Sequence, residues 1–158
     1  MQTATIAQLR KEMQHLSHAE LLTVCTRMIK YNKENKELLS YALFESKNEQ
    51  AFLLEVKQEI HAQFDEVNTA SIFWAKKTLR KILRMIVKQA KFSGQPATAI
   101  ELHIYFCQQL QQLPYPIFES NVVQTMYSNQ LKKINKYILS IHEDLQFDYA
   151  QIVGQLLT

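Results

Sequence analysis

The sequence predicts an all-α fold, and three observations carry that prediction. Only two of the 158 residues are Gly, Gly94 and Gly154, and only three are Pro. A many-stranded sheet needs turn residues at short, regular intervals, and the chain does not supply them. Apolar residues recur instead three and four positions apart through most of the chain, the period of a half-buried helix. Helix-start signatures also precede such runs, most plainly Ser17 and Glu20 ahead of Leu21 and Leu22, an S-x-x-E capping box. The expected architecture is a single compact helical domain over residues 1–158. Seven or eight helices form an irregular bundle of antiparallel hairpins, with an α-solenoid-like stack as the alternative. One internal echo exists, Leu79-Arg80-Lys81-Ile82 against Leu131-Lys132-Lys133-Ile134. Four residues are too few for the sustained self-similarity of a solenoid.

The elements follow in order. A first helix over residues 5–15 places Ile6, Leu9 and Met13 on one stripe with Leu16. The capping box opens a second helix carrying Leu21, Val24, Cys25, Met28 and Ile29. Residues 32–37 are polar and read equally as a connection or as solvated helix. Leu38, Leu39, Ala42 and Leu43 define a third helix ending near Ser46. Asn48 caps a fourth, whose Phe52, Val56, Ile60, Phe64 and Val67 keep close helical spacing. Asn68 and Thr69 break it and cap a fifth.

Gly94 reads as the left-handed residue just past the fifth helix, and Pro96 suits the first turn of the sixth, where a missing N–H costs nothing. Thr98 and Glu101 read as a second capping box. The sixth helix carries one charge, Glu101, and is apolar on most sides, so it is expected to be the most buried element. Pro114 and Pro116 stop it. A long seventh helix over residues 117–142 has Val123, Tyr127, Leu131, Ile134, Ile138, Ile141 and Leu145 along its seam, with Lys132, Lys133 and Lys136 outside. Asp148 is expected to cap a short last helix holding Ile152, Val153, Leu156 and Leu157.

Composition excludes several function classes. Phosphate-cradling loops, dinucleotide-binding turns and nucleophile elbows need Gly where backbone turns sharply or approaches a ligand. Two Gly cannot build them. Cys25 and Cys107 are too few for a disulfide framework and sit among apolar residues, which predicts buried free thiols in a reducing compartment. Residues 1–16 hold no apolar secretory core, and the longest uncharged run is interrupted by Gln and Pro. A cytoplasmic protein with no membrane association is expected. No nucleophile has a local signature and no carboxylate pair sits in apolar surroundings, so neither catalysis nor a cofactor is expected.

The one segment arranged for more than folding is the fifth helix. Residues 68–100 contain no Asp or Glu but seven cations: Lys76, Lys77, Arg80, Lys81, Arg84, Lys88 and Lys91. On a helical wheel all but Lys76 fall within an arc of roughly 100°. Ile72, Ala75, Leu79, Ile82, Leu83, Ile86 and Ala90 lie opposite and are expected to face the core. The rest of the chain carries 11 basic and 15 acidic residues, so the net charge of +3 conceals a local excess.

Seven like-charge pairs at i,i+3 or i,i+4 cost this helix roughly 1.5–3.5 kcal/mol before screening. Glu55, Glu59 and Glu66 on the fourth helix would relieve that repulsion if they lined the cationic face. Otherwise an anionic partner would, and nucleic-acid phosphates or an acidic protein surface both qualify. The partner-binding candidates are Lys77, Arg80, Lys81, Arg84, Lys88 and Lys91. The two Arg are best able to grip carboxylate or phosphate bidentately. Phe73, Trp74 and Phe92 beside the arc are candidates for base stacking.

Two weaker constellations remain. His103 and Cys107, four apart on the sixth helix, are compatible with two metal ligands or the wall of a small apolar ligand site. Zinc takes four ligands or three plus water, and no others are nominated, so a core His beside a buried thiol is the simpler reading. His15 and His18 read as solvated turn residues. The functional expectation is a non-enzymatic interaction or adaptor module presenting residues 76–91 to an anionic partner. A ligand or metal site at His103 and Cys107, or a structural homo-oligomer, stands as the alternative.

Overall fold

The computed structural model describes residues 2–157 and is all-helical, with no strand among them. The chain divides into two compact units, Met1–Phe44 and Glu45–Thr158.

The first unit holds α1 (Ile6–Met13), α2 (His18–Tyr31) and α3 (Lys33–Ser40). The Ser17–Glu20 capping box forms: Glu20 Oε2 accepts from the Ser17 amide at 2.8 Å, and Ser17 Oγ accepts from the Glu20 amide at 3.3 Å. These bonds hold the Glu20 carboxyl below its ordinary range. Thr5 and Gln8 form an equivalent box at α1. The polar stretch after Tyr31 is helix. Asn32 Oδ1 accepts from the Glu34 and Asn35 amides at 2.6 and 3.2 Å and so starts α3. No residue of α1, α2 or α3 is fully buried, and the predicted stripe residues Ile6, Leu9 and Met13 are exposed. Periodicity correctly identified helices there but not their cover. A π-helical turn, Tyr41–Glu45, follows α3 where ordinary helix up to residue 46 was expected.

The second unit comprises α4 (Glu49–Asp65), α5 (Ile72–Ser93), α6 (Pro96–Gln111), α7 (Tyr115–Phe118), α8 (Asn121–Ile138) and α9 (Glu143–Leu156). As expected from its composition, α6 is the central element, packed against α4, α5, α8 and α9. Ile100, Leu102, Phe106, Cys107 and Leu110 are completely enclosed. Gly94 ends α5 with φ +65°, a left-handed conformation that Gly adopts without a Cβ penalty, and Pro96 occupies the first turn of α6.

Three boundaries differ from expectation. The long helix over residues 117–142 is interrupted: Ser120 is extended, its hydroxyl donates to the Ile117 carbonyl at 2.7 Å, and α8 begins after it. The last helix begins five residues before Asp148. His142 Nδ1 accepts from the Asp144 amide at 3.4 Å, and Glu143 and Asp144 in the first turn suit the positive end of the helix dipole. Ser71 rather than Asn68 or Thr69 precedes α5, because the Asn68 side chain is engaged in a local turn with the Ala70 amide.

Thr98 and Glu101 do not form a capping box; each serves a longer-range tie. Thr98 Oγ1 donates to Glu49 Oε1 at 2.6 Å, and the Ser93 hydroxyl donates to the same oxygen, fastening the α5–α6 corner to the start of α4. Glu101 pairs with Lys57 of α4 at 2.8 Å and accepts from the Tyr149 hydroxyl of α9 at 3.1 Å. Further along α6 the Cys107 thiol is enclosed, and burial pushes its pKa up to about 12. Since the thiolate is the reacting species, a colorimetric disulfide reagent is expected to titrate the half-buried Cys25 in the native protein. Cys107 should react only after unfolding, and rapid modification of both thiols would contradict the packing of α6.

Candidate anion-binding groove

Lys77, Arg80, Lys81, Arg84 and Lys91 are exposed, while Lys76 and Lys88 are half-buried. Among the described residues no carboxylate comes within 4.0 Å of Lys77, Arg80, Lys81, Arg84 or Lys91. Glu55, Glu59 and Glu66 are exposed on α4 and pair with none of them. The internal neutralisation that the spacing of those three acids offered is therefore not made. Lys88 is less solvent-facing than its wheel position implied, and its ammonium lies 5.9 Å from the centre of the Phe92 ring.

The stacking candidates divide. Phe92, in the last turn before the chain reverses at Gly94, is 9% exposed and part of the core, which removes it as a platform for a base. Phe73 and Trp74 are 63% and 50% exposed, set edge-to-face with ring centres 5.2 Å apart. The Lys77 ammonium already occupies one side of Trp74, 5.1 Å from the ring centre.

The tertiary arrangement adds what a helical wheel cannot. Both α5 and α8 lie on α6, and between them runs a chain of open depressions of ≈490, ≈330 and ≈410 Å³. Leu83 and Gln130 line both the first and the second; Val87 and Lys133 line both the second and the third. The three therefore form one groove. Its α5 wall carries Arg80, Arg84 and Lys91, which stand on the side of the helix that also carries Val87. Lys77, Lys81 and Lys88 lie further round. Leu83 and Ala90, expected in the core, are half-buried because they floor this groove.

The α8 wall was missed from sequence. It contributes Lys133, with Asn121, Thr125 and Asn129 at one end. A signal existed: residues 120–142 contain no Asp or Glu but hold Lys132, Lys133 and Lys136. Both walls thus come from helices without a carboxylate. Partial burial holds the Lys133 amine below the ordinary lysine range.

His103 and Cys107 are fully buried on α6. Burial, helped by the charge of Lys133, depresses the His103 pKa to about 4, so the ring is neutral at pH 7. It stacks on Tyr137 with centres 6.1 Å apart. The Gln130 amide is near enough to favour the protonated ring slightly. No well-formed hydrogen bond results, since both ring nitrogens and Gln130 Oε1 lack partners among the described residues. Among those residues no three His, Cys, Asp or Glu are grouped to hold a metal ion, and the Cys107 thiol stays protonated. Among them, too, no helix is long and apolar enough to cross a membrane. Comparison with protein-family models, curated proteins and solved structures finds no match to this chain.

Proposed function

We propose that the protein is a non-enzymatic helical interaction module that holds an anionic partner against the basic face of α5. The observation that carries the reading is the set of exposed cations, Arg80 and Arg84 foremost, that find no carboxylate among the described residues. The five like-charge pairs among Lys76, Lys77, Arg80, Lys81 and Arg84 cost the helix roughly 1–2.5 kcal/mol before screening, and an arriving anion relieves that repulsion. Exposed guanidinium groups four residues apart suit bidentate contacts with carboxylate, sulfate or phosphate oxygens. Lys77, Lys81, Lys88 and Lys91 add charge to the same surface, which raises the association rate more than the final affinity.

Retention on immobilised heparin, a generic polyanion, tests this. Arg80→Glu combined with Arg84→Glu is expected to weaken binding by about 100-fold, on the scale of two lost charge-assisted bonds. Arg10→Glu combined with Lys11→Glu makes the same charge change on the exposed surface of α1 and serves as the control. The control should elute near the wild type. Equal elution of the two double variants would mean that only net charge matters, and the α5 face would lose its claim.

A further inference from the structure

We infer that the anionic partner is an acidic amphipathic helix of another protein, laid lengthwise in the α5–α8 groove. This rests on the proposed function and goes further by assigning the seat and the partner's chemistry. Lengthwise, the groove follows α5 from Arg80 to Gly94, about 21 Å at 1.5 Å per residue, which matches roughly four turns of a docked helix.

Its cross-section has two chemistries. Leu83, Val87 and Ala90 from α5 and Val122 from α8 remain half-buried, so the floor is an apolar strip that the chain itself leaves incompletely covered. Arg80, Arg84 and Lys91 stand on one side and Lys133 on the other. An apolar stripe flanked by carboxylates complements both parts at once. Helix-in-groove recognition reads such a partner through anchors at i, i+3 or i+4, and i+7. A carboxylate beside Lys133 also offsets the half-burial that holds its amine below the ordinary range.

Charge complementarity alone would admit nucleic acid, but the aromatic groups argue against it. Single strands are held by bases stacked on exposed rings. Phe92 is buried, Trp74 is partly covered by Lys77, and neither Phe73 nor Trp74 lines the groove; Tyr137, which does line its third depression, is half-buried and already stacked on His103. A phosphate backbone would also leave the apolar floor uncovered. The short contact length implies a small interface and a dissociation constant in the micromolar range, about 1–100 μM.

The test uses the full-length protein and three labelled probes. One is a 14-residue peptide of Leu and Glu, with Leu at i, i+3, i+7 and i+10. The second has the same composition in scrambled order, and the third is a 20-nucleotide single strand of mixed sequence. The ordered peptide is expected to bind at least about tenfold tighter than the scrambled one. Val87→Lys is the decisive variant, because it adds a cation while removing apolar floor. It should weaken the ordered peptide about tenfold, and Val122→Lys should do the same from the opposite wall. Both sites are half-buried and accommodate a flexible lysine stem, so the fold survives.

Equal binding of the two peptides, or tighter binding by Val87→Lys, overturns the groove inference and leaves the basic-face reading standing. Tighter binding of the oligonucleotide than of the ordered peptide, lost in the Arg80/Arg84 double variant, reassigns the partner to nucleic acid. A scattering mass at twice 18.5 kDa that Val87→Lys halves would make the occupant a second copy of this chain. Failure of all three probes and of heparin removes the proposed function as well.

Discussion

Acidification from pH 7 to pH 4 is expected to cost the protein about 3 kcal/mol of stability through one residue, His103. The ring is fully enclosed on α6 and its folded-state pKa is about 4, against an ordinary value of 6.5. Between those two values the unfolded chain takes up a proton that the folded chain refuses. Stability therefore rises with pH across that interval and falls as the solution is acidified through it. The main cause is desolvation: an imidazolium in the core between α6 and α8 would have lost its water, and the charge of Lys133 adds repulsion. Gln130 favours the charged ring too weakly to reverse this, and stacked Tyr137 offers no countercharge.

The contribution of Glu20 lies lower. Its folded pKa is depressed, so its share of stability is lost only as pH falls below the ordinary carboxylate value of 4.5. Urea midpoints measured at pH 7, 6 and 5 therefore isolate His103. Replacing it by Phe keeps a flat ring beside Tyr137 and removes two buried nitrogens that lack partners. The variant should be as stable as the wild type at pH 7, or more so, and should lose the slope between pH 6.5 and 5. A wild-type midpoint that is flat over that range, or a His103→Phe protein that keeps the slope, would show that the ring is solvated.

The sequence carried local information well and lateral information poorly. The Ser17–Glu20 box, the Gly94 reversal, Pro96 in the first turn of α6 and the cationic side of α5 depend on residues within a few positions of one another. Each was legible for that reason. The groove was not. It exists because α6 holds α5 and α8 side by side, although Leu83 and Lys133 are 50 positions apart. The wheel divides α5 into core and solvent, so it placed Leu83 and Ala90 inside when they stand half-covered at the edge of the groove. The same two-way division put Phe92 outside. In α1 and α2 the apolar stripes correctly announced helices, but spacing carries no information on what covers a stripe. Ser120 escaped notice because breaking a helix with a hydroxyl bond to a preceding carbonyl requires only one ordinary residue.

The groove depends on α6 staying where it is, which makes Phe106 the residue whose truncation should cost most. Its side chain is the largest of those fully enclosed, and it meets Phe64 of α4 edge-to-face with ring centres 5.4 Å apart. Phe106→Ala removes transferred apolar area and leaves a cavity that the surrounding helices can close only in part, an expected loss of about 3–5 kcal/mol. Phe106→Leu fills much of that space and should cost far less. A double-mutant cycle with Phe64→Leu is expected to return a coupling of about 0.5–1.5 kcal/mol for the ring pair. These values come from urea unfolding with unchanged m, so that altered unfolded-state compactness is not mistaken for lost packing. Phe106→Leu should still bind heparin like the wild type, since α6 supports the cationic wall without contributing a cation to it. Near-neutral Phe106→Ala would mean that α6 is not enclosed, and the placement of α5 beside α8 would fall with it.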